Sequence, residues 1–289
     1  MGERTNRVLK ITHIVPGLDP GASLTLQNEH ARALESISRA SLQASKIGIE
    51  LKVFEVCDYS WTPVNTPGVE VLRRDIEYIS VNKTLGIRPK LRCFFPENLT
   101  NNTDYIVFTN ADICVTTEFY GKIQEILSQG TLAGSIHRKT VLGVNPDDPE
   151  GLDKAITSEN WYLHPGSDCY FFPAETAAAL RVSEVLMGIP PVGRSTLLAI
   201  SAFNPSFKKF PSLGITIHFG DDRVWQTSRP LRKLSKRNFR SWYMAMPRLI
   251  SIVGPQGFIR GMRTIGFFNM RNWVSFVINA LGSLLSRGS

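Results

Sequence analysis

Short apolar runs and longer amphipathic segments alternate along the first 220 residues of the chain. Residues 10–15 form an apolar run that is typical of a strand, and residues 24–47, which precede Gly48, have the composition of a long helix. Residues 49–57 alternate apolar and polar side chains, as a strand does. A strand, a helix and a strand in this order predict a βαβ unit, and hence a parallel sheet whose ligands bind at the carboxyl ends of its strands.

The same alternation continues to residue 220, except between residues 60 and 100, where the pattern predicts no definite element. Further strands are predicted at residues 105–109, 133–139, 168–172 and 214–219, and further helices at residues 118–129, 174–187 and 194–203. The predicted fold class is therefore α/β, with a mostly parallel central sheet flanked by helices. We expect two parts, a domain of residues 1–225 and a basic, amphipathic helical tail of residues 226–289.

The distribution of charge supports this division. Of the 33 Lys and Arg residues, 12 lie after Gly220, against 2 of the 25 Asp and Glu residues, so a body of net charge −2 carries a tail of net charge +10. A basic segment of this kind is suited to phosphate groups, whether of anionic lipid, nucleic acid or an anionic substrate. No helix-turn-helix, zinc-finger or RRM signature accompanies the charge, so we expect no nucleic-acid partner.

The tail also has an apolar side. Residues 230–248 interleave six Lys and Arg residues with Phe239, Trp242 and Tyr243, and residues 273–285 carry aromatic and aliphatic side chains at helical spacing. Such a helix fits an anionic membrane surface. The alternative is that the apolar stripe folds back onto the α/β body or onto a second copy of the chain. The longest uncharged run near the end, residues 272–286, has 15 residues, fewer than the ~20 that span a bilayer.

Composition narrows the possible classes further. The chain is 43% hydrophobic and 20% charged, which supplies a packed core and excludes a disordered chain. None of the 4 cysteines is paired at two-residue spacing, which excludes zinc-ribbon and dithiol redox sites, and we expect buried, reduced thiols. No basic and then apolar signal segment opens the sequence, so we expect a cytoplasmic protein.

The sharpest candidate for chemistry follows the strand predicted at residues 105–109. Asn110 and Asp112 come directly after it, and side chains two residues apart in extended backbone point the same way. Two oxygen-bearing side chains on one side suit a hard divalent cation, which would neutralise a diphosphate and make it a better leaving group. The alternative is that both residues cap the following helix.

At this motif the sequence resembles the nucleotide-sugar-dependent glycosyltransferases of the GT-A fold, and the resemblance covers residues 8–225. Those enzymes carry an Asp-x-Asp motif at the end of a buried strand, where Asn110-Ala111-Asp112 stands here. The resemblance implies that Asp112 holds Mn²⁺ or Mg²⁺ and that Asn110 takes part in binding the donor. An amide carries no charge and is a weaker ligand, so both metal assistance and a degenerate, non-catalytic body are left open.

Three further segments occur in the order that the family predicts. Residues 49–57 run into Asp58, where such enzymes contact the nucleobase of the donor. Residues 164–173 contain Asp168, which stands where an acidic residue faces the reacting sugar, and His218 stands where a histidine completes the metal site. The resemblance therefore implies a donor contact, a catalytic carboxylate and a metal ligand. The structural alternatives are a turn for Asp168 and core packing for His218.

A basic stripe precedes these motifs. Arg88, Lys90 and Arg92 recur at every second position, which in a strand puts them on one face. If that face lines the cleft, Arg88 and Lys90 would hold the phosphates of the donor. If it faces outward, the three residues are a solvated edge.

Taken together, the resemblance implies a glycosyltransferase of polysaccharide biosynthesis, peripheral at the inner face of a membrane. It would move a sugar from a nucleotide-diphosphate donor to a glycan or lipid-linked acceptor, with inversion favoured, and a homo-oligomer is compatible with it. One alternative is a sugar nucleotidyltransferase, although residues 16–21 lack the basic residue expected of its phosphate loop. The other is a non-catalytic adaptor at the membrane surface, which Asn110 favours.

Overall fold

The computed structural model describes residues 8–82, 86–100, 102–148, 150–220 and 229–267. Its strands are β1 (Leu9–Pro16), β2 (Ile49–Cys57), β3 (Glu70–Arg73), β4 (Tyr78–Asn82), β5 (Gly86–Pro89), β6 (Tyr105–Thr109), β7 (Cys114–Val115), β8 (Gly134–Val141), β9 (Trp161–Pro173), β10 (Lys208–Phe210) and β11 (Thr216–Phe219). Its helices are α1 (Leu24–Lys46), α2 (Phe119–Ser128), α3 (Gly151–Thr157), α4 (Ala177–Arg181), α5 (Val192–Phe203) and α6 (Arg229–Thr264), the last interrupted at Gly254. Short 3-10 turns occupy Leu91–Phe94, Glu97–Thr100 and Ala174–Thr176.

Within these residues, nine strands form one sheet in the order β3-β2-β1-β6-β9-β8-β11-β7, with β10 paired to the first residues of β8. β7 and β9 run against the other seven strands. β4 and β5 form a separate hairpin. The mostly parallel central sheet, the flanking helices and the C-terminal basic helix confirm the predicted α/β fold class.

The sheet is covered on both faces, because its central strands are apolar on both sides. Along β6, Ile106 and Phe108 belong to one core and Val107 to the other, since successive side chains of a strand alternate. α1 and α2 pack on the Val107 side, and α4, α5 and α6 pack on the Phe108 side. A binding site therefore has to lie at an edge of the sheet, where the parallel strands end.

The described part of the tail packs back onto the body. Phe239 and Trp242 of α6 are buried in the core that α5 shares. The side chain of Asn238 also accepts from the backbone N–H of Leu186 at 2.6 Å and donates to its carbonyl at 3.1 Å. Folding back is thus the arrangement of this part of the tail. The apolar stripe of residues 273–285 and the division at residue 225 lie outside the described residues, and both stay predictions.

One predicted helix is much shorter than expected. The pattern predicted a helix at residues 174–187, but α4 ends at Arg181. Beyond it, the carbonyl of Val185 accepts from Leu91 N, and Met187 N donates to the carbonyl of Pro89, each at 2.8 Å. Residues 185–187 match a helical spacing, but here they pair with residues 89–91, at the end of the β4–β5 hairpin. This pairing, and not a helix, buries their apolar side chains. The strand predicted at residues 168–172 is the end of the longer β9.

The cysteines are those of a reduced protein. Cys57, Cys93, Cys114 and Cys169 are buried free thiols, as predicted. Burial raises the pKa of the Cys57 thiol to about 12, so it stays protonated at neutral pH. Among the described helices, none combines the length and the apolar character that a membrane crossing requires.

Candidate functional site

Three side chains from distant parts of the chain converge at the end of β6. Glu29 lies in the second turn of α1, Asp112 follows β6, and His218 belongs to β11. One ligand atom from each residue lies within 4.8 Å of the other two. The sequence predicted two members of this candidate metal cluster, and the structure adds Glu29.

His218 and Asp112 are in direct contact. His218 Nε2 lies 3.2 Å from Asp112 Oδ2, and His218 Nδ1 lies 3.0 Å from the carbonyl oxygen of Gly220. A carbonyl can only accept a hydrogen bond, so Nδ1 donates to it, and this orients Nε2 toward the carboxylate. Burial alone would raise the pKa of Asp112. The charge of His218, its hydrogen bond and the charge of Arg138 lower that pKa to about 2, which keeps the carboxylate ionised.

The donor set of this cluster fits a divalent cation. Asp112 Oδ1 is buried and makes no hydrogen bond within the described part of the chain. A buried carboxylate oxygen that is left unsatisfied is costly, and a cation would satisfy it. Two carboxylates and one imidazole are ligands that Mn²⁺ accepts, and carboxylates suit Mg²⁺. These residues therefore fit the metal ion that the sequence predicted.

Asp168 is held next to this cluster by two other side chains. The amide of Asn110 donates to Asp168 Oδ1 at 2.8 Å. The Nε atom of Arg138, a residue that is 8% exposed, lies 3.4 Å from Asp168 Oδ2. Arg138 also lowers the pKa of Asp112 through its charge. Arg138 thus links the carboxylate at position 168 to the candidate metal cluster.

Two buried hydroxyl groups, those of Thr140 and Tyr162, lie beside His218 on the neighbouring strands. In the strand register, His218 is level with Thr140, and Thr140 is level with Tyr162. The hydroxyl oxygens of Thr140 and Tyr162 are buried and make no hydrogen bond to any described residue. Side chains at level positions lie on the same face of a sheet, so unused polar groups adjoin His218 on that face.

Asp58 lies at the same edge of the sheet, after β2. Its carboxylate accepts from Ser60 N at 3.0 Å, from Ser60 Oγ at 2.7 Å and from Ile76 N at 3.0 Å. The hydrogen bonds of Ser60 lower the pKa of Asp58. β2 is separated from β6 by β1, so Asp58 lies farther along the edge than Asp112. Its assignment as a donor contact stays a prediction.

The predicted basic stripe does not form. β5 ends before Lys90, and Arg92 lies in the 3-10 turn that follows, so the three residues do not share one strand. Lys90 Nζ lies 2.7 Å from Glu77 and 2.7 Å from Glu184, and Arg92 pairs with the same two acids. Arg88 differs, because its Nε atom is buried without a hydrogen bond in the described residues, and burial lowers the pKa of Arg88. The roles of Arg88 and Lys90 in donor binding stay predictions.

Two residues of the site carry little sequence signal. Glu29 is one of several polar residues in the first turns of α1, and no motif distinguishes it. Arg138 is a charged residue inside a strand that is otherwise mostly buried, and that contrast is the signal that could have indicated a role.

Comparison with known proteins gives distant structural matches. No protein-family model matches the chain, and no curated protein matches its sequence. S. aureus TarS 1–349 in complex with UDP-GlcNAc is 11% identical, with 94% of this chain and 79% of that chain covered and a TM-score of 0.48. S. aureus TarS 1–349 alone is 12% identical, with 95% and 80% covered and a TM-score of 0.44. Its complex with UDP is 11% identical, with 84% and 72% covered and a TM-score of 0.44. The fold assignment rests on the strand order and helix placement of this chain itself.

Proposed function

We propose that this protein is a glycosyltransferase that moves a sugar from a nucleotide-diphosphate donor to a hydroxyl group of a glycan or lipid-linked acceptor. The observation that carries the proposal is the convergence of Glu29, Asp112 and His218, which Arg138 links to Asp168 at the edge where the parallel strands end. Transfer of a sugar needs a charge partner for the departing diphosphate and a carboxylate on the acceptor side. This edge of the sheet supplies residues suited to both tasks.

Asp112 and His218 are the proposed metal ligands, with Glu29 as the third. A bound Mn²⁺ or Mg²⁺ would neutralise the negative charge of the diphosphate leaving group. Asp112 would bind the cation as a carboxylate and His218 as a neutral imidazole through Nε2, because Nδ1 donates to the carbonyl of Gly220. Asn110 is already engaged with Asp168 through its amide, so its proposed contribution to the donor site is to hold that carboxylate in place.

Asp168 is the proposed catalytic carboxylate. Its Oδ1 accepts from Asn110, while its Oδ2 lies 3.4 Å from Arg138 Nε and makes no hydrogen bond within the described residues. An ionised carboxylate can only accept, so Oδ2 is suited to take the proton of an acceptor hydroxyl as its oxygen attacks the sugar carbon. A base on the acceptor side corresponds to inversion at that carbon.

The donor nucleotide is proposed to lie along the same edge toward Asp58. Asp58 ends β2 and would contact the base, as the resemblance implies. Arg88 has a buried Nε–H with no partner among the described residues, and it is suited to a phosphate oxygen. Lys90 would join it only by exchanging its two ion pairs for the phosphate.

The outer face of α6 is the proposed contact with an anionic membrane surface on the cytoplasmic side. Arg232, Lys236 and Arg240 are exposed and recur every fourth residue, so they lie on one side of the helix. The sequence of α6 contains no acidic residue. Each basic residue near an anionic surface contributes about 1 kcal/mol of binding free energy.

The proposal is tested first by thermal unfolding with UDP, GDP and CDP, each with and without Mn²⁺. We expect one nucleotide to stabilise the protein selectively and more strongly with Mn²⁺. A ligand at 100 times its Kd adds about 2.7 kcal/mol to the free energy of unfolding, which corresponds to several degrees in Tm. If no nucleotide stabilises the fold, the protein is a non-catalytic adaptor. Stabilisation by a nucleoside triphosphate together with a sugar phosphate would instead indicate a nucleotidyltransferase.

A matched pair of variants tests the residues. Asp112→Asn removes a proposed metal ligand, and Asp75→Asn removes an exposed acid. We expect Asp112→Asn to abolish Mn²⁺-dependent stabilisation and donor turnover, and Asp75→Asn to retain both. Turnover at the wild-type rate in Asp112→Asn would overturn the metal assignment.

A further inference from the structure

We infer that the buried pair of His30 and Glu55 is a positioning device for the metal site, an inference that rests on the function proposed above. His30 Nδ1 lies 2.8 Å from the carbonyl oxygen of Ala111, the middle residue of Asn110-Ala111-Asp112. His30 Nε2 lies 2.9 Å from Glu55 Oε1. The pair therefore connects the backbone of the motif to α1 and to β2.

The geometry of this connection is strongly constrained. Both side chains are 1% exposed, so neither can exchange its partner for solvent. The carbonyl of Ala111 can only accept, and Nδ1 is therefore its donor. Glu55 is held at its other oxygen, because Oε2 accepts from the backbone N–H of Val64 at 3.1 Å. Leaving a buried polar group without its hydrogen-bond partner costs free energy of folding. The three hydrogen bonds, to Ala111, between His30 and Glu55, and from Val64, therefore hold one another in place.

The two ends of this connection are the chain neighbours of two proposed metal ligands. Glu29 directly precedes His30 on α1, and Asp112 directly follows Ala111. The hydrogen bond from His30 to Ala111 therefore fixes the backbone that carries one carboxylate against the backbone that carries the other. His30 and Glu55 themselves are not members of the three-residue cluster. Their effect on a bound cation would be to hold the Glu29 and Asp112 oxygens at ligating separation.

The test separates the two hydrogen bonds of His30. In His30→Asn the amide nitrogen takes the position of Nδ1, which keeps the bond to Ala111 and loses Glu55. In His30→Gln the longer side chain reaches the position of Nε2, which keeps Glu55 and loses Ala111. The Kd of Mn²⁺ alone is measured on the full chain, without nucleotide, from the electron paramagnetic resonance signal of the free ion.

We expect His30→Gln to weaken Mn²⁺ binding by about tenfold or more, the size of effect seen when a residue that orients a metal site is lost, and His30→Asn to weaken it less. Asn238→Ala is the matched control, because it removes a buried side chain that ties α6 to Leu186 through two hydrogen bonds. It should lower stability without changing the Kd. Wild-type affinity in His30→Gln would overturn the inference.

Two further outcomes keep the inference apart from the proposed function. If the wild-type chain itself does not bind Mn²⁺, the metal-assisted function fails and the inference fails with it. If the wild type binds and His30→Gln binds equally well, only the inference fails. Should His30→Gln not fold, Glu55→Ala carries the test, because it removes the side chain that holds Nε2 while leaving His30 in place. An unchanged Kd in that variant would overturn the inference.

Discussion

Asn110 and Asp168 are joined by two hydrogen bonds, one between side chains and one between backbones. The amide nitrogen of Asn110 donates to Asp168 Oδ1 at 2.8 Å, and the backbone N–H of Asn110 donates to the carbonyl of Asp168 at 3.0 Å. A carboxylate at position 110 would have no proton to donate and would set two negative charges in contact. The hydrogen bond to Asp168 therefore accounts for an amide, and not a carboxylate, at the first position of the motif.

Replacing Asn110 by Asp tests this relationship. Two carboxyl groups within hydrogen-bonding distance cannot both ionise freely, so one of them takes up a proton. We expect Asn110→Asp to lower the transfer rate at least tenfold while the Kd of the donor nucleotide changes little. Asn98→Asp, at an exposed position, adds the same charge and should leave the rate unchanged. A variant Asn110→Asp that binds Mn²⁺ more tightly and transfers faster would show that position 110 is a metal ligand.

The packing of α6 leads to a prediction about stability. Trp242 of α6 is buried in the core to which α5 also contributes, whereas Met244 is 67% exposed. Trp242→Ala should lower the free energy of unfolding by about 3–5 kcal/mol, because it leaves a cavity. Met244→Ala should change it by less than about 0.5 kcal/mol. Chemical denaturation measures both values, and equal effects would mean that α6 does not dock on the body.

The outer face of α6 predicts a salt-dependent affinity for anionic lipid. Reversing the charges of Arg232, Lys236 and Arg240 to Glu removes about 1 kcal/mol for each cation, so binding should weaken about a hundredfold or more. Co-sedimentation with phosphatidylserine vesicles, compared with phosphatidylcholine vesicles and repeated at high salt, measures the effect.

The matched control for this measurement changes the net charge equally on other surfaces. Lys46, Lys52 and Lys122 are exposed on α1, β2 and α2. Their reversal to Glu should leave vesicle binding largely intact. The same loss in both triple variants would point to total charge rather than to the face of α6.

His13 predicts how stability depends on pH. The ring lies between Tyr120 and Thr109, with Nδ1 2.7 Å from the phenol oxygen and Nε2 3.0 Å from the threonine hydroxyl. Burial lowers the pKa of His13 from 6.5 to about 3. Between these values the unfolded chain binds a proton that the folded chain does not, so the free energy of unfolding falls as the pH decreases through this window.

Comparison with His13→Gln isolates that contribution. Between pH 7 and pH 4.5 the wild type should lose about 2–3 kcal/mol more than the variant. The carboxylates of the protein titrate in both chains and cancel in the difference. Parallel pH profiles from urea denaturation would contradict the assignment of a neutral, buried imidazole.

The sequence predicts those elements whose hydrophobic pattern depends only on neighbouring residues in the chain. The residues of α1, β2 and β6 match their predicted ranges closely, because helical spacing and apolar runs are determined by neighbours in the chain. The prediction of a helix at residues 174–187 was wrong beyond Arg181, because contacts with a distant part of the chain determine the structure there. Residues 185–187 bond to residues 89–91, and a pairing over that separation leaves no trace in a local pattern.

The candidate site shows the same division. Asp112 could be proposed because it follows a recognisable strand, whose end lies at the binding edge of the sheet, and His218 because the resemblance implies a histidine there. Glu29 could not be, since the register between α1 and the end of β6 depends on tertiary packing. Lys90 shows a further gap. Its spacing suggested a phosphate contact, which stays a prediction, but no local pattern indicated that Glu77 and Glu184 each lie 2.7 Å from its Nζ.

The position of β11 after both carboxylates in the chain has a consequence for biosynthesis. β11 pairs with β8 and brings His218 to Asp112, which precedes it by 106 residues. Before β11 has emerged from the ribosome, the nascent chain already contains Glu29 and Asp112. It does not yet present the imidazole of His218 to them. The capacity of this cluster to capture a cation would therefore arise only after β11 has been synthesised and has paired with β8.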